Sequence, residues 1–262
     1  MIRALYSAAS GMSAQEMAVD NIAHNLSNAN TVGFKARQIQ FQDLLYQTVV
    51  QPGAAAGSQT VVPTGLQIGL GTRPASNAII LSQGNFNNTS NPLDVAIDGG
   101  AFLVVQTAAG ERYTRDGGLQ INNQGQLVTA SGDPVLGNSG PIVFQPTDKA
   151  ISIAADGNIT VVEGTGRTDS VRGKLRLVNF ADPQKLVKEG GNLYSAGQGV
   201  AAQPDTTSRV RAGFIEKSNV NSVHEMSRMI EITRTYTQIS AMLQQQHDLH
   251  RTAVEKLADV PA

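Results

Sequence analysis

Two histidines near the C-terminus have the spacing of a metal-binding pair. His247 and His250 lie three residues apart with Asp248 between them, so on a helix both imidazoles would face the same side. Two ligands in this arrangement can begin a metal site in a helical bundle. A further ligand is needed, and none is evident in the sequence. The pattern therefore favours a polar helix face, and we predict no metal site.

Three aspartates beside turns are the candidates for carboxylate chemistry. Asp94, Asp98 and Asp116 lie in a β-prone region, where a pair of carboxylates could hydrolyse a glycosidic bond. Asp-Gly is also the commonest chemistry of a turn. The second interpretation is favoured. A secreted all-β enzyme that acts on polysaccharide, with Asp98 and Asp116 as its pair, is kept as an alternative of a different class.

Other catalytic and ligand-binding motifs are missing. Gly69-Leu-Gly71 lacks the third glycine of a dinucleotide loop, and neither a phosphate-binding loop nor a nucleophile elbow occurs. Arg112 and Arg115 flank Tyr113, but two arginines do not make a nucleic-acid patch. We therefore predict a protein that is not an enzyme, with no catalytic residue, cofactor, nucleic-acid partner or small-molecule substrate.

The composition supports that prediction. The chain has 262 residues, 20 Lys+Arg against 21 Asp+Glu, 16% charged residues and no cysteine. A net charge near zero is no electrostatic footprint for nucleic acid. The absence of cysteine excludes disulfides, zinc–thiolate sites and a thiol nucleophile. Because tryptophan is absent and aromatic residues make up 5%, we expect an aliphatic core.

The two ends of the chain carry helical heptad patterns. Apolar residues recur at intervals of seven over residues 1–28, and at steps of three and four over 222–262. Helices of this kind are marginal in isolation. We expect them to pair in a coiled coil, either within one chain or between neighbouring subunits. The predicted contact residues are Leu5, Met12, Val19, Ile22, Leu26, Met229, Ile232, Tyr236, Ile239, Leu243 and Leu257.

The region between the helices has the pattern of β structure. From residue 85 to 199, short β-prone runs alternate with turn signals such as Asp156-Gly-Asn158, which is typical of an all-β domain. Residues 46–65 form a segment without charge that we expect to be extended or loop-like. The predicted fold is α+β, with an all-β domain inserted between the two terminal helices.

Several motifs resemble those of one known family, the flagellar axial proteins that form the rod and the hook. The resemblance runs in order along nearly the whole chain. The residues that carry it are 8–12, 21–26, 28–35, 41–45, 93–102, 113–117 and 213–220, followed by 229–230 and 234–236.

The resemblance implies a structural role. Length and the segment 46–65 are similar to those of the distal rod subunit, and a proximal rod or hook subunit is the alternative. It implies a rigid helical tube in the periplasm that transmits torque and serves as an export channel. The implied partners are other copies, proximal rod and hook subunits, the P- and L-ring bushing proteins and the type III export apparatus, with export that needs no cleaved leader.

The same resemblance implies a domain layout and a stiffening segment. We expect a helical domain of 1–34 with 218–262, a connecting region of 35–92 with 201–217, and an outer β domain of 93–200. The segment 46–65 is expected to bridge neighbouring subunits and stiffen the wall. Its predicted key residues are Tyr46, Gln51, Pro52, Gly53, Pro63 and Gly65.

Overall fold

The fold is taken from a computed structural model that describes residues 2–55, 61–62, 64–163, 169–197 and 199–258. The chain divides into two compact units. Unit 1 comprises Met1–Leu26, Arg37–Ala78 and Ser222–Ala262, and unit 2 comprises Ser27–Ala36 and Ile79–Asn221. Each unit therefore contains segments that are distant in sequence.

Unit 1 contains both helices, α1 (Ile2–Ser27) and α2 (Ser222–Ala258). At 1.5 Å per residue they are about 39 and 56 Å long. The first turn of α2 carries Glu225, whose negative charge suits the positive end of the helix dipole. Helices at both ends of the chain, as the heptad patterns predicted, are confirmed.

The rest of unit 1 is a set of short antiparallel ribbons. Outer strands β1 and β6 pair with each other, β2 pairs with β5, and β3 pairs with β4. The six strands are β1 (Arg37–Asp43), β2 (Gln47–Val50), β3 (Ala54–Ala55), β4 (Val61–Val62), β5 (Leu66–Ile68) and β6 (Thr72–Ile79). The described parts of segment 46–65 therefore lie within a set of nested ribbons.

Helix α1 lies along strand β6. The Thr72 N–H donates to Ser10 Oγ at 3.3 Å, and the Asn21 amide donates to Asn77 Oδ1 at 3.2 Å. Eleven helical residues and five strand residues each span about 16 Å, so the two contacts match in spacing. The described contacts of α1 thus include the β1–β6 ribbon, and pairing of α1 with α2 in a coiled coil stays a prediction.

Unit 2 is built from β strands and one short 3₁₀ turn (Pro183–Lys185). The strands are β7 (Phe86–Asn88), β8 (Val95–Asp98), β9 (Phe102–Thr107), β10 (Gly110–Thr114), β11 (Gln120–Ile121), β12 (Leu127–Val128), β13 (Leu136–Gly137), β14 (Gly140–Pro141), β15 (Asp148–Ile153), β16 (Asn158–Glu163), β17 (Asp169–Lys174), β18 (Leu177–Asn179), β19 (Val187–Gly190), β20 (Leu193–Ser195), β21 (Gln203–Pro204), β22 (Arg209–Ala212) and β23 (Phe214–Glu216).

The largest sheet of unit 2 has six strands in the order β19-β20-β10-β9-β18-β21. A three-stranded sheet, β15-β16-β17, and several two-stranded ribbons complete the unit. Two of these ribbons use the last strands of the unit, because β22 pairs with β8 and β23 pairs with β7. Gly213, at φ +77°, separates β22 from β23 and turns the chain between the two ribbons.

Two hydrophobic clusters fill unit 2. The larger cluster is almost entirely aliphatic and includes Leu103, Val105 and Ile159, which are fully buried. The second contains four aromatic rings in edge-to-face contact, with centroids 4.8–5.7 Å apart: Phe102, Tyr113, Phe180 and Tyr194. The expectation of an aliphatic core is therefore wrong for this second cluster, since a few aromatic residues are concentrated in one place.

The α+β class, with two terminal helices and an inserted β-rich unit, is confirmed. Pairing of the two helices in a coiled coil is not part of this confirmation. The position of each helix follows from its own heptad pattern, which does not say what the helix packs against. Among the described residues, neither helix has a stretch apolar and long enough to cross a membrane.

Candidate assembly site

The predicted contact face of α1 is only partly covered. Leu5, Met12, Val19 and Leu26 are half-buried, and Ile22 is buried at 2% exposure. The other buried side chains on the helix are Ala14, Ala18 and Asn25, which follow one another at helical spacing beside Ile22. Two alanines, Ile22 and Asn25 therefore form the covered face of the described part of α1, and the other heptad residues border it.

The apolar residues of α2 are covered even less. The predicted residues Met229, Ile232, Tyr236, Ile239 and Leu243 are all half-buried, and the side chain of Leu257 lies outside the described residues. A second apolar row of Val223, Met226 and Ile230 is exposed. Its spacing of three and four is visible in the sequence, so the same periodicity argument could have found it.

The hairpin segment 46–65 exposes apolar side chains as well. Tyr46 and Val49 are more than half exposed, and Leu66 just after the segment is 51% exposed. Gly53, at φ +83°, follows Pro52 in a turn between β2 and β3, which suits a turn with Pro and then Gly at its centre. Gly65, at φ +65°, lies so close to Val50 and Pro52 that a side chain would collide with their backbones.

Other residues of the predicted stiffening segment are less constrained. Gln51 is exposed, and Pro63 lies outside the described residues. Segment 46–65 has no charged residue, and its described side chains expose both apolar groups, such as Tyr46, and neutral polar groups, such as Gln47 and Thr48. Its exposed apolar side chains are candidates for contact with another surface.

A buried ionic cluster lies in unit 2, and sequence reasoning missed it. Lys35 Nζ is 2.5 Å from Glu216 Oε1, and Arg115 Nη1 is 3.4 Å from Glu216 Oε2. All three side chains are buried. The three residues come from three of the motifs quoted above, 28–35, 113–117 and 213–220. The motifs were visible in the sequence, but their meeting in space was not.

Further polar contacts hold the cluster. Glu216 Oε1 accepts a second hydrogen bond from the Gly84 N–H at 2.7 Å, and Lys35 donates to the Ser82 carbonyl at 2.9 Å. Arg115 donates to the Gly99 carbonyl at 2.7 Å, and its guanidinium lies 5.0 Å from the centre of the Phe102 ring. Burial lowers the pKa of the Lys35 ammonium, against the opposing attraction of the Glu216 carboxylate.

Side-chain amides pair with backbone groups in both units. In unit 1, Asn25 donates to the Arg37 carbonyl at 2.8 Å and accepts from the Arg37 N–H at 3.0 Å. In unit 2, Gln184 makes the same two-way contact with Ile79. Amide side chains have both a donor and an acceptor, so they can replace a missing β-ladder partner. This use accounts for part of the amide-rich, charge-poor composition.

The residues considered for chemistry do not form a reaction centre. Asp98 makes an exposed ion pair with Arg211 at 2.6 Å, while Asp116 accepts from the Gly118 N–H at 3.0 Å. Burial raises the pKa of Asp116. His247 is exposed and His250 half-buried on α2. Within the described ranges, no group of three ligands could hold a metal ion.

Three family models match the chain in order. The model for the flagella basal body rod protein matches residues 5–35, and that for the D1 domain of the flagellar hook protein FlgE/F/G matches residues 96–161. The model for the C-terminal part of the flagellar basal body rod FlgEFG proteins matches residues 211–255. Lys35 and Glu216 fall in the first and third of these matches.

Curated relatives match over almost the whole chain. The flagellar basal-body rod protein FlgG of Buchnera aphidicola from Acyrthosiphon pisum is 39% identical, over 90% of this chain and 92% of its own length. FlgG of Bacillus subtilis is 37% identical, over 93% and 94%. FlgF of Caulobacter vibrioides is 34% identical over 99% of this chain and its full length.

These matches agree with the motifs, the two terminal helices and the inserted β unit. They also exclude the alternative of a polysaccharide-acting enzyme, because the family consists of structural proteins. The chain belongs to the flagellar basal-body rod protein family and is a structural component of the bacterial flagellum.

Proposed function

We propose that this chain is the subunit of the distal rod and polymerises into a straight, rigid tube through unit 1. The observation that supports this proposal is that the two units differ in how far their apolar side chains are buried. Unit 2 buries two clusters of apolar side chains, while unit 1 leaves the row Val223, Met226 and Ile230 and the hairpin residues Tyr46 and Val49 exposed. Apolar surface of this extent on a soluble chain is typical of an interaction site.

The proposed contacts are those of the two helices. Heterologous contacts that do not close on themselves generate an open helical tube. In that tube the helical parts, 1–34 with 218–262, would form the inner layers, with 35–92 and 201–217 connecting them to an outer domain of 93–200. The heptad residues of α1 and α2 would meet those of neighbouring copies, because the described ones, apart from the buried Ile22, are only half-buried within one chain.

The hairpin is the proposed stiffening element. It would extend to neighbouring subunits and pair its exposed apolar residues with theirs, resisting the bending that torque produces. Near neutrality favours this packing, since like charges repeated along a tube would repel one another. The tube would carry torque across the periplasm and leave a lumen for exported proteins.

The proposed partners follow the position of the distal rod. Proximal rod subunits would lie below, hook subunits above, and the P- and L-ring proteins around the tube. The flagellar type III apparatus would export the chain unfolded, and the absence of cysteine would prevent cross-linking on that route.

The test is electron microscopy of concentrated purified protein, with and without residues 46–65. We expect straight tubes from the full chain, and curved or broken polymers after the deletion. A matched control replaces Gln47 and Gln67 of the same hairpin by Ser, which keeps its apolar residues and should preserve straight tubes. Straight, rigid tubes from the deletion variant would contradict the role of the hairpin, and absence of tubes from the full chain would contradict polymerisation.

A further inference from the structure

The short segment 27–36 belongs to unit 2 although residues 37–78 separate it from the rest of that unit. Its backbone is held by a segment near the other end of the chain. The Gly33 N–H donates to the Glu216 carbonyl at 2.8 Å, and the Ala36 N–H donates to Asn219 Oδ1 at 2.8 Å. Residues 213–221 therefore help to hold segment 27–36, which also accepts hydrogen bonds from the Ile80 N–H at Ala36 and from the Asn192 amide at Val32.

Within the ionic cluster, two cations, Lys35 and Arg115, depend on the carboxylate of Glu216. Lys35 and Arg115 bring two positive charges, and in the part of the chain that the structure describes, Glu216 is the carboxylate that pairs with both. A buried charge that loses its partner is strongly destabilising. Glu216 follows Lys35 by 181 residues, so both cations remain unpaired until the last strand of unit 2 arrives.

Glu216 also closes the backbone around it. One oxygen of its carboxylate binds both Lys35 Nζ and the Gly84 N–H, and Gly84 lies so close to the Lys217 carbonyl that a side chain there would overlap it. The same side chain thus joins segment 27–36, the chain at Gly84 and strand β23.

The segments that meet at Glu216 continue directly into the helices. Helix α1 ends at Ser27, where segment 27–36 begins, and α2 begins at Ser222, after segment 213–221. Docking of the two segments therefore fixes the residue at which α1 ends and the residue at which α2 begins. None of the three charged side chains is accessible to a neighbouring subunit, because all are buried.

We propose that Glu216 is a positioning residue for polymerisation, which docks segments 27–36 and 213–221 and so fixes the residues at which α1 ends and α2 begins. This inference rests on the proposed function, since it supposes that the helices make the tube. It links assembly to completed folding: in a chain whose strand β23 has not yet docked, the end of α1 and the beginning of α2 are not held, and such a chain cannot enter the tube.

The test compares the full chain with Glu216→Gln, a substitution of equal size that removes the charge. We expect amide hydrogen exchange at Gly33, Ala36 and Gly84 to quicken about 100-fold, while the amides of β9 change less than about threefold. Tube formation should require at least about tenfold more protein. The control Glu111→Gln removes an exposed partner of Arg176 and should leave both measurements unchanged.

A second pair of variants separates this role from a general loss of stability. Lys35→Met leaves one cation paired with one anion, so it should be milder than Glu216→Gln. Lys35→Met combined with Glu216→Gln removes one of the two unpaired cations, and it should recover at least about tenfold of the lost exchange protection and part of the tube formation.

Three results would overturn the inference. They are equal quickening of exchange in β9 and in segment 27–36, absence of recovery in the double variant, and normal tube formation by Glu216→Gln. Failure of the unaltered chain to form tubes would instead contradict the proposed function and, with it, the link to polymerisation. Exchange would then still decide whether Glu216 docks the two segments.

Discussion

The two units of this chain differ in how much of their apolar surface each one buries. Among the described residues, the buried hydrophobic side chains of unit 1 are Ala14, Ala18 and Ile22, whereas unit 2 has two full clusters around Leu103 and Phe102. Hydrophobic stabilisation grows with the area removed from water. Unit 2 thus has the interior of an independent domain, and unit 1 has the surfaces of a part that needs neighbours.

The buried polar groups of the two units differ in the same way. Unit 2 holds its segments with an ionic cluster at Glu216, where loss of one charge leaves others unpaired. Unit 1 holds α1 with amide contacts such as that of Asn25 with Arg37. Neutral contacts cost less to break than buried charge pairs. We therefore expect unit 1 to rearrange on assembly more readily than unit 2.

The largest expected effect is that of removing helix α2. Deletion of residues 222–262 should abolish tube formation completely, since it removes the apolar rows of that helix, while unit 2 keeps its core and its near-ultraviolet circular dichroism. Deletion of residues 1–28 should act in the same direction. Electron microscopy and circular dichroism provide the measurements, and normal tubes from either truncated chain would contradict the assignment of assembly to the helices.

A core substitution should separate the two units energetically. Leu103→Ala, at a fully buried position of strand β9, should lower the free energy of unfolding by about 3 kcal/mol, because it leaves a cavity. Ile230→Ala on α2 should change it by less than about 0.5 kcal/mol in the dissociated chain, because Ile230 is 62% exposed. Urea denaturation at a concentration below that of assembly measures both, and similar losses would contradict the comparison.

A glycine substitution tests the close approach beside the ionic cluster. Gly84→Ala should cost about 2 kcal/mol, because the added methyl group would overlap the backbone carbonyl of Lys217. Gly100→Ala is the matched control in the same unit, since its methyl group would meet Asn179 at an ordinary 3.6 Å. Thermal unfolding of both variants decides the point, and equal midpoints would show that the backbone at Gly84 adjusts freely.

The pH dependence of unit 2 should include a contribution from Asp148. The Arg172 guanidinium hydrogen-bonds this carboxylate and lowers its pKa, and burial opposes the shift. A lowered pKa gives stability that is present above the ordinary value of about 4 and lost as the pH falls through the lowered pKa. Asp148→Asn should therefore be less stable than the unaltered chain at pH 7, with the difference shrinking in acid. A constant difference in unfolding free energy would refute this.

The smallest effect is expected at an exposed ion pair. Asp98→Asn removes the contact with Arg211, in which both side chains are more than a third exposed, so the loss should stay below about 1 kcal/mol. Tube formation should be unchanged. Asp98 was also a candidate catalytic residue for polysaccharide hydrolysis. Loss of a catalytic carboxylate would remove hydrolytic activity and leave assembly unchanged.

Much of the fold follows from local patterns. The helices at 2–27 and 222–258 agree with the heptads, since helical periodicity depends on residues three and four apart. Strands such as β9 and β16 fall on the short β-prone runs that were predicted between turn signals. The hairpin at 46–65 was predicted only as extended or loop-like, because the pairing of β2 with β5 depends on residues that are distant in sequence.

The candidate site was predictable in part. Apolar rows on α2 follow from spacing, and the exposed row Val223, Met226 and Ile230 could have been included on the same grounds. Which face of α1 is covered could not be derived, because Ala14 and Ala18 carry little hydrophobic signal of their own. At helical spacing they lie on the same face as Ser10 and Asn21, the two residues that contact strand β6.

By itself, the sequence determined the α+β class, the terminal helices and the family with its structural role, since each depends on residue types and spacings along the chain. Only the tertiary structure decided that Lys35, Arg115 and Glu216 meet in one buried cluster. Electrostatic pairing depends on distance in space, and no local pattern places a carboxylate beside an ammonium group 181 residues away.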